Sequence, residues 1–277
     1  MPLQNPVQPA AIPVFWRDAG LPFIEARSIA DGRKVCYARH SHDVFSIGAI
    51  TAGQSTYLHE KTRKTIDTGT VVLMNPGDVH ACNPIDDQPW SYVMLYLDAC
   101  WLGRVQQACG VDVASGFQPL AAIRSNDPEL FAGLLDLHRL LIDAERDVLE
   151  KHEAAIAFFT LMQQRLGGAQ APLKQASARV ERAAEYINAH FLEAIRLEDI
   201  CEAANLSEAY LIRAFEQHYH MTPHAYLINR RIQHAQAQLR DGEPIAAIAQ
   251  QSGFADQAHF QRVFKKHLAA TPGQYRQ

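Results

Sequence analysis

Apolar residues change their spacing once along this chain. From about residue 23 to 98 they fall in short β-branched and aromatic runs, FSIGAIT, TVVLMNP and WSYVMLYLD. Turn signals cut these runs at Asp31-Gly32, Thr68-Gly69, Asn75-Pro76-Gly77-Asp78 and Asp86-Asp87. Many short strands with frequent turns predict a small β-barrel or jelly roll. Past Leu97 the period becomes helical. Leu130, Leu134, Leu137 and Leu141 recur at helical steps, as do Ile156, Phe159 and Leu166, and Asn126-Asp127-Pro128 reads as a helix start. A helical hairpin is expected over 127–166. The stretch LGGAQAPL, Leu166 to Leu173, then breaks the pattern and reads as a linker. Beyond it, period and caps predict helices at about 175–190, 196–203, 207–218, 223–240, 245–251 and 256–267. The fold class is therefore α+β in two domains: a β-barrel with its helical hairpin over 1–166, a linker over 167–173, and an all-α domain over 174–277.

The all-α part states one phrase twice. Phe215, His218, Thr222, Pro223 and Tyr226 recur 49 positions later as Phe264, His267, Thr271, Pro272 and Tyr275, and Arg213 pairs with Arg262. Leu206 pairs with Phe254, and Ile200 with Ile248, at an offset of 48, so the second copy has one residue inserted between its turn and its arginine. Ser207, Thr222 and Asp256 suit N-caps, while Asn205 and Gly253 stand at equivalent turns and tolerate positive φ. Two helix-turn-helix units joined by the helix over 223–240 are expected. In such a unit the second helix enters the major groove of double-stranded DNA. Leu211 and Phe215, or Phe260 and Phe264, would pack inward. The opposite faces carry Glu208, Ala209, Tyr210, Ile212 and Arg213, or Gln257, Ala258, Gln261 and Arg262. Arginine grips guanine and glutamine suits adenine. Lys265, Lys266, Arg230 and Arg231 would meet phosphates. Solvated arginines on generic helices are the bland alternative, and the repeated cap-and-turn frame weighs against it.

A length of 277 residues suits two domains. The net charge of -4 divides into +1 over 174–277 and -5 over the remainder, an asymmetry of the right sign but too small to argue DNA binding alone. Five scattered cysteines without a CxxC fit neither a disulfide framework nor a zinc ribbon, so reduced thiols in a cytoplasmic protein are expected. The start, MPLQNPVQPAAIP, reads as a loose lead-in and not a signal peptide, and no apolar run approaches the ~18 residues of a membrane span.

On the phrases SEAYLIRAFEQHYHMTPHAYL and IAQQSGFADQAHFQRVFKKHLAATPGQYR, residues 174–277 resemble the DNA-binding domain of the AraC/XylS (arabinose-regulator) family of bacterial transcription regulators. The resemblance implies that Ala209, Ile212 and Arg213 face bases in the first reader, and Gln257, Gln261 and Arg262 in the second. Ala209 and Ile212 are weak hydrogen-bonding choices, so most hydrogen-bonded readout is expected in the second copy. It further implies a cytosolic small-molecule effector, activation through RNA polymerase, and a homodimer. Residues 127–166 would form its interface or, equally, cover the barrel within one chain.

His40 and His42 alternate on an expected strand and would share a face. Farther on, Asn75-Pro76-Gly77-Asp78 aims His80. These phrases resemble the two cupin motifs, although Ser46 or Ile47 stands where the metal-binding glutamate belongs, and Asn83 and the Pro76 turn are each displaced by one residue. Three readings stay open. His40, His42 and His80 hold a divalent metal, Zn²⁺ or Fe²⁺; or they line an effector pocket with Trp90 and Tyr92, as in the sensor halves of many arabinose-family regulators; or they are hydrogen-bonded strand histidines. Trp90 is expected at the pocket mouth and the strand Trp90–Leu97 chiefly in the core. His59, with Lys61, Arg63 and Lys64, is expected to be solvated at a hairpin tip. The leading function is a ligand-responsive transcription regulator with no enzymatic activity and no required cofactor. The alternatives are a three-histidine cupin metalloenzyme with a helical appendage, and an architectural DNA binder without an effector.

Overall fold

The computed structural model describes residues 12–113, 116–168 and 177–277. Most of the expected linker, 169–173, and most of the lead-in, 1–11, lie outside the described residues. The strands are β1 (Val14–Trp16), β2 (Ile24–Ile29), β3 (Phe45–His59), β4 (Thr62–Asp67), β5 (Val71–Met74), β6 (His80–Pro84), β7 (Trp90–Leu97) and β8 (Arg124–Ser125). They form one antiparallel system in the order β1-β2-β7-β3-β5-β8, with β4 and β6 also paired to β3.

The 15-residue β3 makes this a barrel. Its first half pairs with β5 and β7, a register shift between Ile50 and Ala52 bends it, and its second half pairs with β4 and β6. Alternation along β3 and β7 then sorts two cores. Phe45, Ile47, Ala49, Val93, Leu95 and Leu97 face outward beneath helices, while Ile50, Trp90, Tyr92 and Met94 face the barrel interior. Because both faces are covered, these strands are apolar nearly throughout.

Helices α1 (Ala99–Ala108), α2 (Pro128–Ile142) and α3 (Val148–Leu166) cover the outer face. The sequence pattern missed α1. In α2, Asp127 caps the start through the Glu129 N–H at 2.8 Å, Pro128 follows, and Leu130, Leu134, Leu137 and Leu141 are buried with Phe159 and Met162 of α3. Ile156 departs from the expected apolar row. It is 44% exposed, and with Ile142, Val148 and Leu149 it leaves apolar surface on this pair of helices. The helical hairpin is thus an intramolecular cover whose outer side remains free.

The α-domain comprises α4 (Ala178–His190), α5 (Leu197–Ala204), α6 (Glu208–Tyr219), α7 (Pro223–Arg240), α8 (Ile245–Gln251), α9 (Gln257–Leu268) and α10 (Pro272–Arg276). Its two cores are separate. Ile187, Ile200, Leu211 and Phe215 make the first, and Ile248, Phe254, Phe260 and Phe264 the second. The α7 rod serves both, giving Leu227 to one and Ile232, Ala235 and Leu239 to the other. Thr222 and Asp256 cap as expected, from Ala225 N–H at 3.2 Å and His259 N–H at 2.7 Å, whereas Ser207 makes no side-chain cap bond. Both reading helices stop at a left-handed residue, His220 (φ 56°) and Ala269 (φ 55°), at matching places in the repeat.

Arg231 joins the two units, and this corrects its expected phosphate role. Its guanidinium donates to the carbonyl oxygens of Phe191 (2.7 Å) and Glu193 (2.7 Å) beside the first unit and of Gly253 (2.6 Å) in the turn of the second. Gly253 has φ 71°, and a Cβ there would lie 2.8 Å from the Arg231 guanidinium carbon, so the turn needs glycine twice over. Arg230 is also diverted, donating to Asp43 at 2.7 Å. Arg231→Met should cost about 2–3 kcal/mol, since three carbonyls lose a charged donor. Urea unfolding measures this, and an unchanged midpoint would dismiss the staple.

Candidate ligand pocket and nucleic-acid interface

His40 and His42 do not alternate on a strand. The segment from Tyr37 to Asp43 has only an isolated bridge, His40 to His80, with N–H to O distances of 3.1 and 2.9 Å. Side chains and turns supply the remaining bonds. The Asn83 amide clasps Tyr37 through both backbone groups (2.6 and 3.2 Å), and the Gly77 N–H donates to the His42 carbonyl at 2.8 Å. On the other side the α-domain takes over. Ala38 N–H donates to Lys266 O (2.9 Å), Ser41 N–H to Asn229 Oδ1 (3.2 Å), and Asn229 Nδ2 to Ser41 Oγ (3.1 Å). Gln233 Nε2 adds a bond to Ser41 O at 3.1 Å. This strap is both pocket wall and inter-domain fastening.

The three imidazoles nevertheless converge, with ring centroids 4.5–5.0 Å apart. Nδ1 of His40 lies 2.8 Å from the Ala38 carbonyl, and Nδ1 of His80 lies 2.9 Å from that of Asp78. A carbonyl only accepts, so each Nδ1 carries the proton and each Nε2 keeps its lone pair. His42 Nε2 is buried without a partner. Burial, then neighbouring imidazoles, holds His40 and His42 well below the usual histidine pKa, and burial lowers His80 to about 4. All three are neutral at pH 7. Their candidate ligand atoms lie within 4.8 Å of one another. A tetrahedral ion with bonds of ~2.0–2.1 Å needs nitrogens ~3.4 Å apart. The donor set, with backbone carbonyls fixing the tautomers, therefore fits a divalent metal once the rings draw closer.

The cavity beside them is narrow. Trp90 lines it, yet not at a mouth: it is 1% exposed, donates from Nε1 to Gly32 O at 2.9 Å, and stacks on Tyr92 at 5.0 Å. Tyr92 and Tyr37 share a 2.5 Å hydroxyl contact. His59 is corrected as well. Pairing of β3 with β6 sets it opposite His80, and it is buried, with Nε2 3.0 Å from Asp78 Oδ2. Asp78 also accepts from Asn75 N–H (3.0 Å) and Nδ2 (3.1 Å), so His59 buttresses the turn that aims His80. Lys61, Arg63 and Lys64 are exposed, as expected.

Arg27 went unnoticed in the sequence. It lines the same cavity from β2, only 3% exposed. Burial acts to lower its pKa, but Tyr96, Tyr37, Tyr92 and Glu25 outweigh that and the net direction is up, so the guanidinium stays charged. The one available signal was Ile29, an apolar residue on the same strand face.

On the α-domain, Ala209, Tyr210, Ile212 and Arg213 of α6 are exposed, as are Gln257, Ala258, Gln261, Arg262 and Lys265 of α9, while Leu211, Phe215, Phe260 and Phe264 are buried beneath them. Each helix thus presents one solvent face of reading chemistry. Ala209, Ile212 and Arg213 also wall a cleft whose far side is Arg39, Glu60 and Lys61 of the barrel.

Known domain families match both halves of this geometry. Residues 23–160 match the AraC-like ligand binding domain, and residues 200–277 match a helix-turn-helix domain. The chain belongs to the AraC family of transcription regulators. Among relatives of this regulator, the uncharacterized HTH-type transcriptional regulator YbfI of Bacillus subtilis is 29% identical, over 80% of this chain and 81% of its own length. The HTH-type transcriptional activator RhaS of an Enterobacter species is 25% identical, over 88% and 89%. A crystal structure of ToxT from Vibrio cholerae shares the fold, with a TM-score of 0.57 at 14% identity, covering 92% of this chain and 98% of that one. The fold is therefore an N-terminal antiparallel β domain followed by a helical helix-turn-helix domain, as the sequence pattern implies.

Proposed function

We propose that this regulator binds a small effector in the barrel cavity and passes its presence to both readers through the strap from Tyr37 to Asp43. One observation carries the reading. The strap bears His40 on the cavity wall, with the His42 ring packed 4.8 Å behind it, and is bonded on the other side to α7 and α9. A ligand that favours one placement of the strap favours one placement of the α-domain, which shifts the balance between DNA-competent and incompetent states. In this reading His40, His42, His80, Trp90 and Tyr92 contact the effector. Each reader occupies one of two adjacent major grooves, about 34 Å apart. Arg213, Gln257, Gln261 and Arg262 supply hydrogen bonds to bases, Ala209, Tyr210, Ile212 and Ala258 supply apolar contact, and Lys265 meets phosphate.

The name of RhaS supports activation, and with it a contact with RNA polymerase. The free apolar residues Ile142, Val148, Leu149 and Ile156 support a homodimer through α2 and α3. Domain limits of 1–166 and 174–277, with the linker between, accord with the two matched families. Among the described residues no helix is long and apolar enough to cross a membrane, and a cytoplasmic location suits a DNA reader. Since both halves match regulator domains, the metalloenzyme alternative has no support beyond its histidines. A metal is a second reading of that cluster, favoured by the fixed Nδ1–H tautomers: His40, His42 and His80 would hold Zn²⁺ or Fe²⁺, which would supply a Lewis acid for an effector oxygen.

Binding to the DNA upstream of the regulator's own gene, followed by fluorescence anisotropy, tests the reading face. Arg262→Ala should cost ~1–3 kcal/mol and relax one base position; equal affinity for random DNA would dismiss that face. Asn229→Ala should leave DNA affinity largely intact while weakening its response to effector, and a full response would dismiss the strap. Metal analysis should find about one divalent ion per chain, absent from a His40→Ala/His42→Ala variant; metal-free protein with a full effector response would remove the metal.

A further inference from the structure

Arg27 carries a charge that no carboxylate among the described residues balances, although the Tyr37 hydroxyl is hydrogen-bonded to its guanidinium. Its Nε is buried without an acceptor, and among the described residues no carboxylate is bonded to it. Glu25, on the same strand face, is taken by Arg17 at 2.6 Å and approached by Arg240 at 3.8 Å. A guanidinium cannot shed its proton to suit burial. The rings of Phe15 and Tyr96, at 4.9 and 5.1 Å from its central carbon, offer π faces but no lone pair for its planar fork. Nor does the cavity supply an anion, for no aspartate or glutamate among the described residues lines it.

The other lining groups sort by chemistry. The Tyr37 and Tyr92 hydroxyls are beside the guanidinium, the imidazole acceptors of His40 and His80 are elsewhere on the wall, and Met74, Met94 and Trp90 are apolar. We propose that Arg27 anchors the carboxylate of a small organic acid, whose apolar body packs toward Trp90 and Met94. This rests on the barrel being the effector site. A carboxylate suits the planar fork of one arginine, whereas a phosphate dianion would demand more donors than this wall holds. The narrow cavity favours a compact acid. The competing account makes Arg27 a pillar that holds β1 to the barrel through Phe15.

Thermal unfolding of the full chain separates the two. The probes are acetate, propanoate and benzoate, each against its neutral amide at matched ionic strength. The carboxylates should raise Tm and the amides should not. In Arg27→Met the unliganded Tm should hold or rise, because an unpaired buried charge is removed, and carboxylate affinity should fall about tenfold or more. Arg27→Lys, which keeps the charge without the fork, should bind weakly and decides the matter if the methionine variant does not fold. A methionine variant that responds like wild type, or amides that act as well as acids, would overturn the proposal. A response confined to amides and abolished by Gly48→Leu, whose side chain would displace Met94 on the cavity wall, would overturn the anion while keeping the effector site. No response to any probe would overturn the anion, and if effector control of DNA binding also survived Gly48→Leu, the barrel site would fall with it.

Discussion

Tyr37, His40 and Ser41 are buried in a stretch that belongs to no sheet, and a buried backbone group left unpaired costs about as much as a lost hydrogen bond. That requirement organises the molecule. With only a single bridge to His80, the strap draws its remaining partners from Asn83 and Gly77 on one side and from Lys266, Asn229 and Gln233 on the other. Either domain without the other leaves part of it unsatisfied. The histidines are held where they are by bonds that also fasten the DNA-reading half, so pocket and fastening cannot be altered independently.

The α-domain meets this strap chiefly with α7. The α7 rod spans both hydrophobic cores, and its residues Asn229, Arg230 and Gln233 face the barrel while Arg231 ties the turn of the second unit to the end of α4. A displacement at Ser41 therefore acts on a helix shared by both units. The barrel side is built with similar economy. The β3 strand divides its faces between the helical cover and the cavity, and the His59–Asp78–Asn75 contacts set the turn that delivers His80.

Locally encoded features were legible in the sequence. The cap residues Asp127, Thr222 and Asp256, the positive-φ turns at Asn205 and Gly253, and the leucine row of α2 each depend on neighbours within a few positions, and each has the expected geometry. The repeat pointed to the solvent faces of α6 and α9 because two copies reveal which positions tolerate exposure. Groups whose partners lie far along the chain were misread. His59 looks like a hairpin tip until Asp78 covers it, Arg230 and Arg231 look like phosphate ligands until Asp43 and three carbonyls claim them, and Arg27 draws no notice because the barrel that closes round it is assembled from distant strands. A polar side chain carries no mark in sequence of whether water or protein will surround it.

The Arg231 seam has an implication for descent. Its three partners are main-chain oxygens, which every amino acid possesses, so this link between the two units makes no demand on the exposed side chains of α6 and α9. Exposed residues such as Ala209 and Gln257 are free to change without disturbing the frame that presents them. A lineage built this way varies its exposed helix faces one residue at a time while their spacing is inherited intact.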